Sequence, residues 1–287
     1  MVARSRYGLR GPGTLVGTVD ATKAAERVAF DKAVEAYERV RPGYPPALFD
    51  EMWRYLGSSI DTQQQPNVLE IGAGTGKATA ALLEHGARVT AVEIGPEMSA
   101  FLRQKFAGEA RLEVINAPFE DAELEPAAYD MVASFTALHW IDPAIRFVKS
   151  RDVLQPSGAL AVVMTNQIAS DADRGFFDRV QPIYKKYFPG EERPGVPRED
   201  IVPVEYNDMQ SSAVFDDVTL YRYRWDQTYA TLDYADLMRS YANSQMMEPD
   251  AREALIADMC QVIDAEYGGS VTRPLVMTLT LGRKPTR

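Results

Sequence analysis

The chain has 287 residues, 46% hydrophobic, 10% aromatic and 25% charged, which supplies a sizeable core and excludes a disordered majority. Its 41 acidic residues against 31 basic ones leave a net charge of −10, which repels phosphate backbones and anionic membranes, so no nucleic-acid or membrane partner is expected. One cysteine, Cys260, and two histidines, His85 and His139, exclude an internal disulfide and leave too few ligands for a cysteine- or histidine-built metal centre, which fits a reducing, cytoplasmic setting.

Residues 1–25 read as an N-terminal arm. Arginines and glycines break its apolar stretches, so neither a signal-peptide core nor a membrane span of about 20 residues can be drawn. Phe30, Ala33, Val34, Tyr37 and Val40 then recur at helical spacing and predict an amphipathic covering helix. Arg41-Pro42-Gly43-Tyr44-Pro45-Pro46 ends it, because proline lacks a donor and restricts its predecessor. A second helix is expected from Pro46 to Leu56, and Gln63–Gln65 as surface loop.

Val68–Ile71, Val89–Val92, Leu112–Ile115, Met131–Phe135 and Leu160–Met164 are short apolar runs bounded by turn residues, the pattern of parallel strands buried on both faces. Gly95-Pro96 and Asp142-Pro143 start intervening helices, and His85-Gly86 stops one. Beyond Asn166 comes a Pro-rich insertion, preceded by a helix with Phe177, Val180, Ile183, Tyr184 and Tyr187 on one face. Val214–Tyr223 reads as a strand. Two helices follow, one through Tyr234, Leu237, Met238 and Tyr241, the other opened by an Asp250/Glu253 capping pair. Leu275–Leu281 is the last strand. The expected fold is α/β: a doubly wound, Rossmann-like seven-stranded sheet with an antiparallel edge, helical lid insertions and the N-terminal covering helix. One domain covers 26–287, with core segments 60–165, 214–223 and 272–283 and lid insertions of about 166–212 and 226–270.

The sharpest chemical signal is Val68-Leu69-Glu70-Ile71-Gly72-Ala73-Gly74-Thr75-Gly76, a strand entering a G-x-G-x-G turn and then a helix. Glycines there allow a sharp turn and close approach of a ligand to the backbone. A dinucleotide fingerprint would need G-x-G-x-x-G, and Lys77 occupies that last position. Glu93, at the end of the second strand, is placed to accept hydrogen bonds from both hydroxyls of a ribose.

These motifs resemble the class I S-adenosylmethionine (SAM)-dependent methyltransferases. More narrowly, Tyr37-Glu38-Arg39-Val40-Arg41-Pro42-Gly43-Tyr44-Pro45 and Ser134-Phe135-Thr136-Ala137-Leu138-His139-Trp140-Ile141-Asp142 are similar to segments of the small-molecule branch of trans-aconitate methyltransferases. The resemblance implies SAM as cofactor and a small organic methyl acceptor. It places Glu70, Gly72, Gly74 and Gly76 along the methionine part and Glu93 at the ribose. Ala117 and Phe119 frame the adenine with Ile94 on its other face, Met98 is a further cofactor contact, Glu120 or its neighbour Asp121 is the acid near the adenine amino group, and Phe135 and Thr136 lie beside the sulfonium. Tyr37 and Arg41 share a helix face and close over SAM, the ring facing the sulfonium and the guanidinium the carboxylate; Tyr37 is also a catalytic candidate. Tyr44, His139, Trp140, Arg239 and Tyr241 are the expected acceptor contacts, with Trp225, Ser240 and Arg193 in the same roof. His139 has three readings: a base taking a proton from a hydroxyl or amine, a substrate hydrogen bond, or an anchor for its loop. An NAD(P) oxidoreductase and a SAM fold used for non-methylating chemistry such as cyclisation are the alternatives.

Overall fold

The computed structural model describes residues 34–57, 65–190 and 195–286. The expected arm, Phe30 and Ala33 of the first helix, Gln63, Gln64 and Arg193 lie outside the described residues.

Helix α1 (Val34–Val40) leads through the proline turn into α2 (Pro46–Gly57). The alternating half then runs β1 (Asn67–Ile71), α3 (Lys77–Glu84), β2 (Arg88–Glu93), α4 (Pro96–Lys105), β3 (Leu112–Asn116), β4 (Tyr129–Phe135), α5 (Arg146–Val153) and β5 (Leu154–Gln167). The remainder is α6 (Phe176–Arg179), α7 (Gln181–Tyr187), α8 (Val204–Ser212), β6 (Asp216–Ala230), α9 (Thr231–Arg239), α10 (Ala242–Gln245), α11 (Pro249–Tyr267) and β7 (Ser270–Arg283). The strands form one seven-stranded sheet in the order β3-β2-β1-β4-β5-β7-β6. β1 pairs in parallel with β2 and β4, whereas β7 runs antiparallel to both β5 and β6. The chain leaves β1 in one direction for β2 and β3 and crosses back for β4, so a switch point opens between β1 and β4.

Alternation along the strands divides the core. Val68, Ala91, Met131, Ala161 and Leu279 pack with Leu48, Phe49, Met52 and Leu56 of α2, while Leu69, Ile71, Val92, Val132 and Leu160 pack with Phe119, Leu138 and Phe147 on the other face. A third cluster builds the lid: Phe176, Phe177, Tyr234, Leu237, Met238, Leu255, Ile256, Met259 and Ile263, joined by Val40 of α1. Glu38 of α1 pairs with Lys105 of α4 at 2.8 Å, and Arg39 pairs with Asp236 of α9. The covering helix is therefore clamped between sheet and lid.

Several local expectations shift. The helix expected through Phe177–Tyr187 is two, because Pro182 falls in the first turn of α7 and cannot continue the hydrogen-bond ladder of α6. The helix after Asp142-Pro143 begins at Arg146, the preceding turn being closed by the Asp142 carbonyl. Asp250 and Glu253 do not cap α11: Glu248 is its N-cap, Pro249 opens the first turn, and Glu253 turns to Arg239 at 2.7 Å. Tyr241 lies past the end of α9, as the N-cap of α10. Strand β6 extends to Ala230, taking the first residues assigned to the second insertion, and α8 is a helix that the sequence did not announce. Among the described residues no helix is long and apolar enough to cross a membrane, and no group of three or more His, Cys, Asp or Glu could hold a metal ion.

Candidate functional site

A cavity of about 460 Å³ opens at the carboxyl ends of β1, β2 and β4, where the switch point of a doubly wound sheet leaves a crevice. Gly72 and Gly74 enter it from the turn after β1, Glu93 and Ile94 from β2, Met98 from α4, and Ala117 and Phe119 from the loop after β3. Phe135, Thr136, His139 and Trp140 follow β4 into the same space, and Tyr37, Arg41 and Tyr241 complete the wall. A smaller cavity of about 160 Å³ adjoins it. Tyr37, Arg41, Gly72, Phe135, Thr136, Thr165 and Tyr241 face both, and Glu70 and Tyr44 line only the smaller one.

The three glycines of the turn have left-handed φ but different neighbours. A Cβ on Gly72 would lie 2.4 Å from that of Ala137, and one on Gly76 2.4 Å from Leu102 Cδ1 and 2.6 Å from Phe106 Cε2. Packing demands those two glycines, and Gly76 lines neither cavity. Above Gly74 a Cβ would meet nothing nearer than Tyr37 Cε1 at 4.0 Å. Gly74 is the one whose missing side chain leaves space on the cavity side.

Glu93 is 7% exposed, and its two oxygens accept the backbone N–H of Gly74 and of Gly95, each at 2.8 Å. Those bonds orient the carboxylate toward the turn and leave lone pairs for further donors. Glu70 is 1% exposed and accepts the Thr79 hydroxyl at 2.6 Å. Burial pushes its pKa up to about 8, with the Glu93 charge adding to it, so this carboxyl carries its proton at neutral pH.

Arg41 donates to the Ser240 hydroxyl at 3.0 Å and to the Ser240 carbonyl at 2.8 Å. Its guanidinium lies 5.0 Å from the Tyr37 ring centre and 4.3 Å from that of Tyr241, within cation–π range. Burial pushes the Tyr37 phenol up despite Arg41, which suits a neutral ring and hydrogen-bond donor better than a base. For Tyr241 burial pushes the same way, but Arg273 and Arg41 more than offset it and the phenol sits below its ordinary value.

His139 sits in a short 3₁₀ turn, Leu138–Trp140, its ring 4.7 Å from that of Trp140. Thr136, just before it, holds φ +57°, a strained backbone for a β-branched residue and of the kind that gathers at functional sites. Its N–H is fixed by the Val163 carbonyl at 2.7 Å.

Other candidates fall elsewhere. Glu120 accepts the Asp142 N–H at 3.3 Å and lines neither cavity. Arg239 is turned to Glu253 and Asp236 on the outside of the lid. Trp225 packs on the sheet core, its indole donating to Gln227. Sequence reasoning missed Thr165, Gln167, Tyr229 and Arg273, all facing the smaller cavity. The antiparallel pairing of β5 with β7 brings Gln167 and Arg273 within hydrogen-bond reach, and no local motif marks either.

Residues 69–162 match the family profile described as "Methyltransferase domain". An uncharacterized methyltransferase of Mycobacterium tuberculosis is 38% identical over 136 residues, 47% of this chain and 51% of that protein. A malonyl-[acyl-carrier protein] O-methyltransferase of Acetivibrio thermocellus is 31% identical over 39% of this chain and 37% of its own length. This chain thus spans about half the length of its mycobacterial relative. Among solved structures, phosphoethanolamine N-methyltransferase 2 of Haemonchus contortus, determined with SAM, superposes with a TM-score of 0.51 at 17% identity, covering 94% of this chain and 61% of that one. The fold is the Rossmann-like methyltransferase fold, and residues 69–162 of its alternating half are similar to a methyltransferase domain. Neither the oxidoreductase nor the non-methylating alternative is favoured.

Proposed function

We propose that the protein transfers the methyl group of SAM to a small organic acceptor by in-line displacement, the acceptor atom being an oxygen, a nitrogen or a carboxylate. The observation that carries this reading is the pairing of Gly74 and Glu93: open space over a glycine backbone beside a buried carboxylate held by that glycine's own N–H. A cofactor carrying ribose hydroxyls fits such a wall, and the phosphoethanolamine N-methyltransferase that shares the fold was determined with SAM. In this reading Glu93 accepts the ribose hydroxyls, Ile94, Met98, Ala117 and Phe119 enclose the base, and Tyr37, Arg41 and the Gly72 turn receive the methionine end. The likeness of the Tyr37–Pro45 and Ser134–Asp142 segments to the trans-aconitate branch belongs to the same proposal.

Bound SAM supplies a methyl group activated by a sulfonium. The protein's own work is to align an acceptor, exclude water and, where needed, take a proton. Tyr37, Arg41 and Tyr241 line the cavity where covering helix and lid meet. His139 lines the same cavity; as neutral imidazole it accepts the proton of a hydroxyl or amine acceptor, whereas a carboxylate is already ionised and needs alignment alone. The net charge of −10 supports an acceptor that is neither nucleic acid nor membrane, and the single cysteine supports a cytoplasmic setting.

Calorimetry with S-adenosylhomocysteine, followed by incubation with methyl-labelled SAM and a fractionated small-metabolite extract, tests the reading. The expected result is saturable binding and label in one small product. No binding removes the cofactor assignment; binding without transfer to any small molecule removes methyl transfer.

A further inference from the structure

The smaller cavity is rich in hydrogen-bond donors. Tyr229 is 3% exposed, faces this cavity, and its hydroxyl has no partner among the described residues. Arg273 donates through Nε and Nη2 to Gln167 Oε1, at 3.2 and 2.6 Å, and through Nη1 to the Tyr241 hydroxyl. No carboxylate pairs with this guanidinium among the described residues, and it retains N–H donors beyond those three bonds. Because Gln167 gives its oxygen to Arg273, its amide N–H groups are left to donate. Buried donors of this kind cost free energy unless something accepts from them. Leu237 and Leu275 make the cavity partly apolar, and about 160 Å³ exceeds the ~30 Å³ that one water occupies.

The surrounding charges favour an anion. Arg41 faces the same space, as does Lys77, whose charge is shared with Glu38 at 3.9 Å, and among the described residues the one carboxyl that lines it, Glu70, is held protonated by burial. Burial likewise pushes the Tyr229 phenol up to about 12, which keeps it a donor.

We propose that Arg273, Gln167 and Tyr229 form an anion subsite that holds a carboxylate or phosphate group of the methyl acceptor. The assignment rests on the methyl-transfer reading. It places the acceptor's charged end in the smaller cavity and its reacting atom in the region that Phe135 and Thr136 share with the larger one. A planar guanidinium braced by a glutamine presents paired donors to two oxygens, and the phenol contributes a third direction. Arg273 is then a specificity-determining residue for which acceptors are methylated.

The experiment is calorimetry of the whole chain with malonate and, separately, inorganic phosphate, each in the presence of saturating S-adenosylhomocysteine, with malonamide as the uncharged control. Malonate or phosphate should bind and malonamide should not; the tighter anion identifies the group. Arg273→Gln should weaken that anion about tenfold to a hundredfold and Arg273→Lys less, as expected for losing a charge-assisted bond. Tyr229→Phe removes a hydroxyl that has no bond to lose, so the melting temperature without anion should stay level or rise while anion affinity falls several-fold. Absence of binding by both anions, or equal anion affinity in wild type, Arg273→Gln and Tyr229→Phe, overturns the subsite. So does a loss of S-adenosylhomocysteine affinity in Arg273→Gln that is absent for 5′-methylthioadenosine, because Arg273 would then hold the methionine carboxylate. If S-adenosylhomocysteine itself fails to bind wild type, the methyl-transfer reading fails, independently of what the anions do.

Discussion

The two cavities are built in different ways. The larger one is made mostly from the ends of parallel strands: a glycine turn, a glutamate fixed by two backbone N–H groups, and short loops that all leave the same sheet edge. The smaller one takes its distinguishing side chains from β5, β6 and β7, where the antiparallel strands and the lid meet. Backbone geometry dictates the first and long-range side-chain meeting the second. A cofactor can therefore be bound by a turn that backbone geometry dictates while acceptor choice is carried by residues that no turn constrains.

Glycine replacements separate cavity from packing within the first region. Gly74→Trp should abolish S-adenosylhomocysteine binding, because its side chain has only the cavity to occupy. Gly76→Val should act on stability instead. Its Cβ would collide with Leu102 and Phe106, and overpacking of this kind costs about 1–3 kcal/mol. Calorimetry and thermal melts on both variants should show opposite patterns; lost affinity with an unchanged melting temperature for Gly76→Val would return that glycine to the cofactor wall.

His139 tests where the two regions join. If it accepts the acceptor's proton, His139→Ala should lower kcat by about 10²–10⁴-fold with SAM affinity near wild type. The wild-type kcat/KM should then rise with pH through a limb that the variant lacks. For a carboxylate acceptor the loss should fall on KM and the limb should be absent. A variant altered only in melting temperature would make His139 a loop anchor.

Glu93→Ala should have a smaller effect. It removes the acceptor of the Gly74 N–H and, in the proposed reading, of the ribose hydroxyls, so affinity for S-adenosylhomocysteine should fall by about 1–3 kcal/mol. Glu70→Ala should spare more of that affinity, since Glu70 faces the other cavity and is tied to Thr79. Equal losses would mean that the two carboxyls serve one ligand end.

The same contrast explains what the sequence revealed. Strand runs, the glycine turn and the acid ending β2 are local patterns that backbone sterics impose, so the sheet, Gly74 and Glu93 were legible. The sequence did not show which glycine serves packing, because Leu102 and Phe106 approach Gly76 only after α4 folds back. Nor did it distinguish Arg273 from Arg224: both lie on late strands, yet Arg224 pairs with Glu199 and Asp226 at the surface while Arg273 faces a cavity. The Asp250/Glu253 spacing fits a capping box, but Pro249 starts the helix two positions earlier and Arg239 draws Glu253 away.

Helix α1 belongs to neither region and touches both, which sets the last and smallest expected effect. Its ties to α4 and α9 include two ion pairs still open to solvent, Glu38 with Lys105 and Arg39 with Asp236, and pairs within reach of water contribute about 0–1 kcal/mol each. Among the described residues of this helix only Val40 is buried, so α1 should open locally at low cost when the cavity is empty. A ligand touching Tyr37 and Arg41 adds contacts to the closed state alone and should slow amide exchange across residues 34–41, while β1 and β4 change little. Hydrogen exchange with and without S-adenosylhomocysteine measures this directly. Equal protection in both states would make α1 a fixed wall and leave entry of the cofactor to the lid helices.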